Sequence, residues 1–561
     1  MTSNETDHQR AATPVELGRD RPSTRAFARL GDLTAGPLAT LDTDGAMRWS
    51  DGAAVASVRW WVGAEDQWHR VEESASLRRD HLKSTPVALT SIRVPSGEVT
   101  MTAGGVRVPG LAGAAVGVEI LNDSPIPVAL GVVIESNRQL AVHPGGVEIA
   151  GLGRVHWTRE ALGYATAPSL EELFNIASAE DFTREPPGSV SSTLVCVMPL
   201  PHTATLQYVV ETMEYSAPPV EILDRTRIPQ LSSVVTGWRN HLGAAGSIQL
   251  VNASEQPALE RALTDVAVGP GPLDSLATVA GVVEARARFG LRAGLTPSGW
   301  DPLVVELLDA QRRDGGFDSD DRTGEGAAAA GFVAAAGALW CDGLTREAGE
   351  QLLFAVAAAV AFLSKRRRSL SVPRSLQARV ALASVLAFDL DQEAVGRSIR
   401  ELAESFAGPP TPTLGDNDGG SLLDSSIERV LAALDSVFAA TAGGVAVGNG
   451  WDAQWLGRNA DAQQVPTPWG RGGVALRWHG DRPALLWEIE PWPGRHNAVP
   501  FLLTAPVADP AWSSPVFSGD ALLAAQEGEI ARPGVSMPVT LSRRPGAPSA
   551  RIESTEGGTL S

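Results

Sequence analysis

Between Glu255 and Ala442 the chain carries eight successive segments in which apolar residues recur at three- and four-residue spacing, and this run constrains the fold more than any other feature. The segments are Glu255–Val268, Asp274–Phe289, Trp300–Arg312, Glu325–Trp340, Thr345–Lys365, Arg374–Leu390, Gln392–Phe406 and Ser425–Ala440. Such spacing puts the apolar residues of each segment on one side of a helix. Short loops then force consecutive helices to pack side by side, so stacked antiparallel hairpins are expected. The longest apolar runs, Ala327–Cys341 and Leu352–Leu363, fall short of the roughly 20 residues needed to cross hydrocarbon. Asp342, Arg346, Glu347 and Glu350 separate them, so they read as buried helices of a bundle and no membrane contact is expected. Gly408–Gly420 is rich in Pro, Gly and Asp and reads as a long loop.

The flanks follow a different period. From about residue 30 to 215, Ser57–Val62, Pro86–Val94, Glu98–Thr102, Ala115–Leu121, Pro127–Glu135, Val190–Met198 and Ala204–Glu211 are rich in β-branched and aromatic residues. Turn sequences such as Asn122-Asp123-Ser124-Pro125 separate them, which predicts antiparallel sheets packed as a sandwich, with one helix near Ser169–Ala179. Trp60 and Trp61 are adjacent on a strand and must face opposite sides. After Gly443 the pattern is again β: Gly473–Trp478 and Ala484–Glu490 flank the turn His479–Pro483, and Pro500–Ala505 and Val535–Leu541 add strands. The expected fold class is therefore multidomain β plus α. Its parts are a tail at 1–28, an N-terminal antiparallel β-sandwich at 29–230, a linker at 231–254, an α-helical hairpin domain at 255–442, a small C-terminal β-domain at 443–544 and a tail at 545–561.

Charge and cysteine content exclude several classes. With 46 Lys and Arg against 65 Asp and Glu the formal charge is −19, which repels nucleic acid and anionic lipid. The one dense basic run, Lys365–Arg368, follows an apolar helix and complements its negative C-terminal end. Cys196 and Cys341 fall in different expected domains, so neither a disulfide framework nor a zinc site is expected, and no cofactor or metal is implied. Met1–Pro14 is polar, without the apolar stretch of a secretory signal, which predicts a cytoplasmic protein.

Three stretches carry a family likeness. Gln67–Ser74, Pro86–Val94 and Val118–Val128 look like the N-terminal sandwich of actinobacterial members of the six-hairpin glycosidase-like superfamily. Gln311-Arg312-Arg313-Asp314-Gly315-Gly316-Phe317, followed by Ala338-Leu339-Trp340 and the helix to Leu363, is similar to a hairpin of an α/α toroid. Val474–Glu490 looks like the strand pair that closes such proteins. The chain thus resembles glycogen-debranching-like, glucoamylase-like and α-rhamnosidase-like proteins. The resemblance implies an α/α toroid, partial here because only eight helices are present, and a protein acting on or binding an intracellular oligosaccharide or α-glucan. Whether catalysis survives in it is left open.

Glycoside hydrolysis needs two carboxyl groups flanking the sugar. The expected pair is Asp301 and Glu325, with Trp300 and Trp340 as walls and Asp314, Asp318, Trp451 and Asp452 as further substrate contacts. Each has a plainer reading: Asp314-Gly315-Gly316 is a good turn, Asp318–Asp321 a solvated loop, and Glu325 complements a helix start. Glu488 and Glu490, alternating with Trp487, read as solvent-facing. Of fifteen Trp, most are expected in cores and no more than three against a ligand. Two alternatives stand beside the carbohydrate reading. One is a non-catalytic scaffold that offers its shortened helical domain to a protein partner. The other, more distant, is a terpene-cyclase-like protein, on the strength of Gln311–Phe317 and the D-x-D-D of Asp318–Asp321. No phosphate-binding loop, nucleophile elbow or zinc-protease motif is present.

Overall fold

The computed structural model describes residues 26–95, 97–190, 193–212, 222–291, 300–318, 322–367, 370, 372, 376–406, 422–448, 457–479 and 482–493, with short strand segments between 501 and 543. The chain divides into two compact units, Met1–Thr236 and Gly237–Ser561.

Two antiparallel sheets, of eight and nine strands, build the first unit and enclose one apolar core. The first strand begins at Ala26, inside the stretch read as a tail. At the centre of the eight-stranded sheet run Ala54–Ala64, Val128–Ser136 and Thr193–Leu200, with Val132 opposite both Trp60 and Cys196. Alternation sends Trp60 into the inter-sheet core and Trp61 to the opposite face. There it meets helix α1 (Leu170–Ser178), which begins where the Ser169 side chain accepts the Glu172 N–H. One buried charge in this unit is matched by carboxylates. Arg59, 2% exposed, donates to Asp44 at 2.9 Å and lies 3.7 Å from Glu135. The outer face of the nine-stranded sheet, at Val87, Val106 and Val209, is covered by Leu231 and Val235 of α2 (Leu231–Gly243). The segment read as a linker thus holds a helix, and also the strand Ser247–Gln249.

The second unit contains all eight expected helices, with ends shifted by a few residues. They are α3 (Gln256–Val268), α4 (Leu276–Phe289), α5 (Pro302–Ala310), α6 (Arg322–Cys341), α7 (Arg346–Arg366), α8 (Leu376–Asp389), α9 (Glu393–Glu404) and α10 (Leu422–Val437). The last begins and ends three residues earlier than expected, because Phe438–Thr441 leaves the helix to form a strand. Consecutive helices pair, α6 with α7 and α8 with α9, but the most extensive contact joins α4 to α6, and α6 also packs on α8. Simple hairpin stacking therefore needs correcting, and the Gly/Ala content of α6 supplies the reason. A Cβ on Gly331 would stand 3.2 Å from Ala280 Cβ of α4, and one on Gly337 would stand 2.7 Å from the Ala383 amide nitrogen of α8. Small residues on both sides let α4, α6 and α8 form a close row, and α5, α7 and α9 keep one face in solvent. Through this row runs a buried ion pair: Arg379 of α8 donates to both Glu284 oxygens of α4 at 2.7 and 2.6 Å, and to Glu428 of α10 at 3.1 Å. Among the described residues α7 alone is long and apolar enough to cross a membrane, and half of that stretch is buried within the unit.

Strands close the second unit. Ala460–Thr467, Gly470–His479 and Arg482–Pro491 form an antiparallel meander, with Ser247–Gln249 added at one edge and Met537–Thr540 at the other. The hairpin expected after Gly473 is therefore present and longer than its sequence signal.

Candidate functional site

The meander brings two distant tryptophans together. Thr467-Pro468-Trp469-Gly470 is the turn between its first two strands, and the Thr467 hydroxyl secures it by accepting the Trp469 and Gly470 N–H groups at 3.3 and 3.2 Å. Only glycine fits at 470, since a Cβ there would lie 2.1 Å from the Glu490 carbonyl oxygen. Register then places Pro491 opposite Gly470, so Trp492 emerges beside Trp469 and its backbone N–H donates to the Trp469 carbonyl at 3.1 Å.

Trp492 is further tied to the helices. Its indole N–H is shared between the Thr467 carbonyl at 2.8 Å and the Cys341 carbonyl at 3.1 Å, at the C-terminal end of α6. The ring packs on the α6–α7 turn at Gly343, whose φ of +80° is a left-handed conformation that glycine adopts without strain. Arg471 lies over the ring, 5.6 Å from its centroid, and reaches Asp342 at 3.9 Å. Trp340 is 4% exposed and packs against Gly349, while its indole N–H donates to Asp389 Oδ2 at 2.8 Å.

The result is a cleft of about 700 Å³ whose lining includes Trp340, Phe388, Trp469 and Trp492 together with the carboxylates Asp389 and Asp391. Arg346, at the start of α7, donates to Asp391 at 3.1 Å and to the Asp389 carbonyl at 3.4 Å. That hydrogen bond to Asp391 is the main reason its guanidinium is held above its ordinary value, and Glu350 adds to it. Two half-buried indoles thus sit beside the half-buried Asp389, the exposed Asp391 and one cation. This combination suits a ligand with apolar faces and hydroxyl edges.

The residues singled out from sequence take several places. Trp340 lines this cleft. Trp300 is half-buried against the helical core. Asp301 caps α5, accepting the Leu303 N–H at 2.9 Å, and lies 3.7 Å from Arg286. Asp314, Asp318 and Glu325 gather around Arg312, which donates to all three. Glu325 also takes Arg366 at 3.2 Å. The Arg312 guanidinium is raised chiefly by its bond to Glu325, and the Asp314 carboxyl is lowered first by the Gly316 N–H. These carboxylates join the 311–318 turn and the first turn of α6 to the C-terminal end of α7. Trp451, Asp452, Asp320 and Asp321 lie outside the described residues. Among the described residues no group of three or more His, Cys, Asp or Glu is arranged to hold a metal ion.

Trp469, Trp492, Asp389 and Asp391 were not anticipated. A signal was present, because Pro468-Trp469-Gly470 and Pro491-Trp492-Pro493 place tryptophan in turns rather than in strands.

No protein-family model matches the chain, and no curated protein matches it by sequence. Among solved structures, a bacterial glucoamylase complexed with acarbose aligns at TM-score 0.43 and 8% identity, over 69% of this chain and 68% of that one. A family GH92 inverting mannosidase from Bacteroides thetaiotaomicron aligns at TM-score 0.32 and 10% identity, over 74% of this chain and 70% of that one.

Proposed function

We propose that the chain binds an oligosaccharide in the cleft formed by Trp340, Trp469 and Trp492. The observation that carries this reading is that Trp469 and Trp492, joined through a backbone hydrogen bond, line one cleft of about 700 Å³ together with Asp389 and Asp391. A pyranose presents flat C–H faces to aromatic rings and hydroxyls to carboxylates, and a cleft of a few hundred to a thousand Å³ suits a small ligand. Trp340 acts from behind, holding Asp389 through its indole N–H. In this reading Asp389 and Asp391 face the sugar, and Asp301, Asp314, Asp318 and Glu325 hold loops and helix ends. The glycosidase-like resemblance read from the sequence supports a gluco-oligosaccharide as the first ligand to try.

Calorimetric titration with maltose-series oligosaccharides, together with mannose- and rhamnose-containing controls, tests it. One or more should bind and raise the melting temperature. Trp469→Ala should remove binding while leaving the unliganded melt unchanged, since the backbone and the Thr467 hydroxyl hold its turn. Absence of binding across the panel, or equal binding by Trp469→Ala, would reject the proposal.

A further inference from the structure

Away from the tryptophan cleft, a second hollow of about 440 Å³ lies between α8 and α9. Gln377, Ala378 and Ala381 of α8 face Arg400, Ala403 and Glu404 of α9 across it. Both sets have helical spacing, so each is one stripe of its helix. Three alanine methyls form the walls, and Ala442 adds a fourth. The chemistry of the hollow therefore rests on Arg400 and Glu404, with the Gln377 amide beside them.

Arg400 is pre-positioned. Its Nε donates to Ser384 of α8 at 3.2 Å, and its guanidinium carbon lies 4.6 Å from the centroid of the Phe388 ring. Gly396 backs that ring, since a Cβ there would meet it at 2.8 Å. One hydrogen bond and one stacked face fix the plane of the guanidinium. Its two terminal nitrogens have no carboxylate partner among the described residues. Glu404, one turn later on the same helix and lining the same hollow, makes no ion pair among them either. An Arg followed by Glu four residues on is the weaker order for an intrahelical pair. Arg400 and Glu404 are both exposed at the edge of the hollow, so their free groups face solvent. In a chain with 65 acidic side chains against 46 basic ones, an arginine whose plane is set by Ser384 and Phe388 offers its terminal nitrogens to an anion from outside.

We propose that this hollow binds a small zwitterion of the α-amino-acid type with a short aliphatic body. The ligand carboxylate accepts hydrogen bonds from both terminal nitrogens of Arg400, and its ammonium donates to Glu404. The aliphatic part lies on Ala378, Ala381, Ala403 and Ala442. A simple carboxylate would gain the arginine but face the uncompensated charge of Glu404, and a simple amine the reverse. A ligand carrying both groups on adjacent atoms satisfies the two helix-borne charges together.

The test is calorimetric titration of the full chain with L-valine and L-alanine, set against propionate and isobutylamine, which each carry one charge. L-valine or L-alanine should bind measurably, with propionate and isobutylamine weaker by at least about tenfold. Arg400→Ala and Arg400→Lys should each lower affinity by at least about tenfold, the second because an ammonium cannot offer a planar fork. Glu404→Gln should narrow the gap between L-valine and propionate. Ala381→Trp, which fills the hollow without removing either charge, should abolish binding. Thermal melts of the unliganded variants identify any that fail to fold. No binding of either amino acid, propionate binding as tightly as L-valine, or L-valine binding retained by Arg400→Ala would each overturn the proposal.

Discussion

Replacing Arg379 with Met tests how the helical row of the second unit is held together. Glu284 is 1% exposed, and both of its oxygens are satisfied by Arg379, itself 7% exposed. Deleting the guanidinium leaves a carboxylate inside the helix row with its hydrogen bonds unmade. Breaking a buried pair in this way typically costs about 3–5 kcal/mol. The bond to Glu428 adds little to that figure, because its side chain is 46% exposed and screened. At roughly 2–4 °C per kcal/mol for a unit of a few hundred residues, the melting temperature should fall by about 6–20 °C. The companion variant Arg379→Met/Glu284→Met removes both charges and fills the space with apolar atoms, so most of the loss should return. Differential scanning calorimetry and urea melts on the two single variants and the double variant give the coupling energy. A single variant within about 1 kcal/mol of the parent, or a double variant as unstable as the sum of the singles, would refute the reasoning.

Three further outcomes are expected. Gly343→Val puts a branched side chain at φ +80° and 3.1 Å from the Trp492 ring, so it should cost about 1–2 kcal/mol and also weaken oligosaccharide binding; unchanged binding in a destabilised variant would remove Trp492 from the site. Burial pushes the Asp44 carboxyl up, but the Ala46 N–H and the Arg59 and Arg48 guanidinium groups outweigh it and hold it below the ordinary value. The stability it contributes is therefore present above the unfolded value near pH ~3.9 and is lost as pH falls through the lower folded value, so the gap between parent and Asp44→Asn in denaturant melts should shrink below about pH 4; a gap constant from neutral to acid would contradict this. Both cysteines are fully buried, and burial raises the Cys196 thiol, so a disulfide-exchange reagent should titrate no thiol in the native chain and both after denaturation; a thiol that reacts rapidly before unfolding would show that the packing is wrong.

The helices were legible in the sequence because burial on one side imposes a 3.6-residue period, plainest in α9 and α10, while α6 and α8 show instead as long apolar runs without a polar face. In α2, Leu231, Val235 and Trp238 keep the same spacing and are all buried, yet Ser232, Ser233, Thr236 and Gly237 are poor helix formers and hide it. The tight α4–α6–α8 row was also visible in principle, since Gly331 and Gly337 lie on a helix that otherwise favours alanine. Glycine there weakens the isolated helix, which makes sense only if another backbone comes close. The cleft was less readable. Trp340 stands at a helix end and attracts notice, but its partners lie far along the chain, and only strand register puts Trp492 next to Trp469. The carboxylates near Gln311–Phe317 drew attention by their density. In the structure that density goes into an ion-pair cluster around Arg312, because a loop pressed against two helix ends needs charge neutralised locally.

The short strand Ser247–Gln249 precedes every helix from α3 onward, yet its partner is Ala460–Thr467, made after all of them, with Ile248 opposite Ala462. As the polypeptide leaves the ribosome this segment must wait, its backbone donors and acceptors unsatisfied, until the entire bundle has been synthesised. Truncated products ending near residue 450 would carry an open β-edge with nothing to cover it, which invites self-association. Attempts to express the helical portion alone should therefore begin after Gln249 or extend through Pro491.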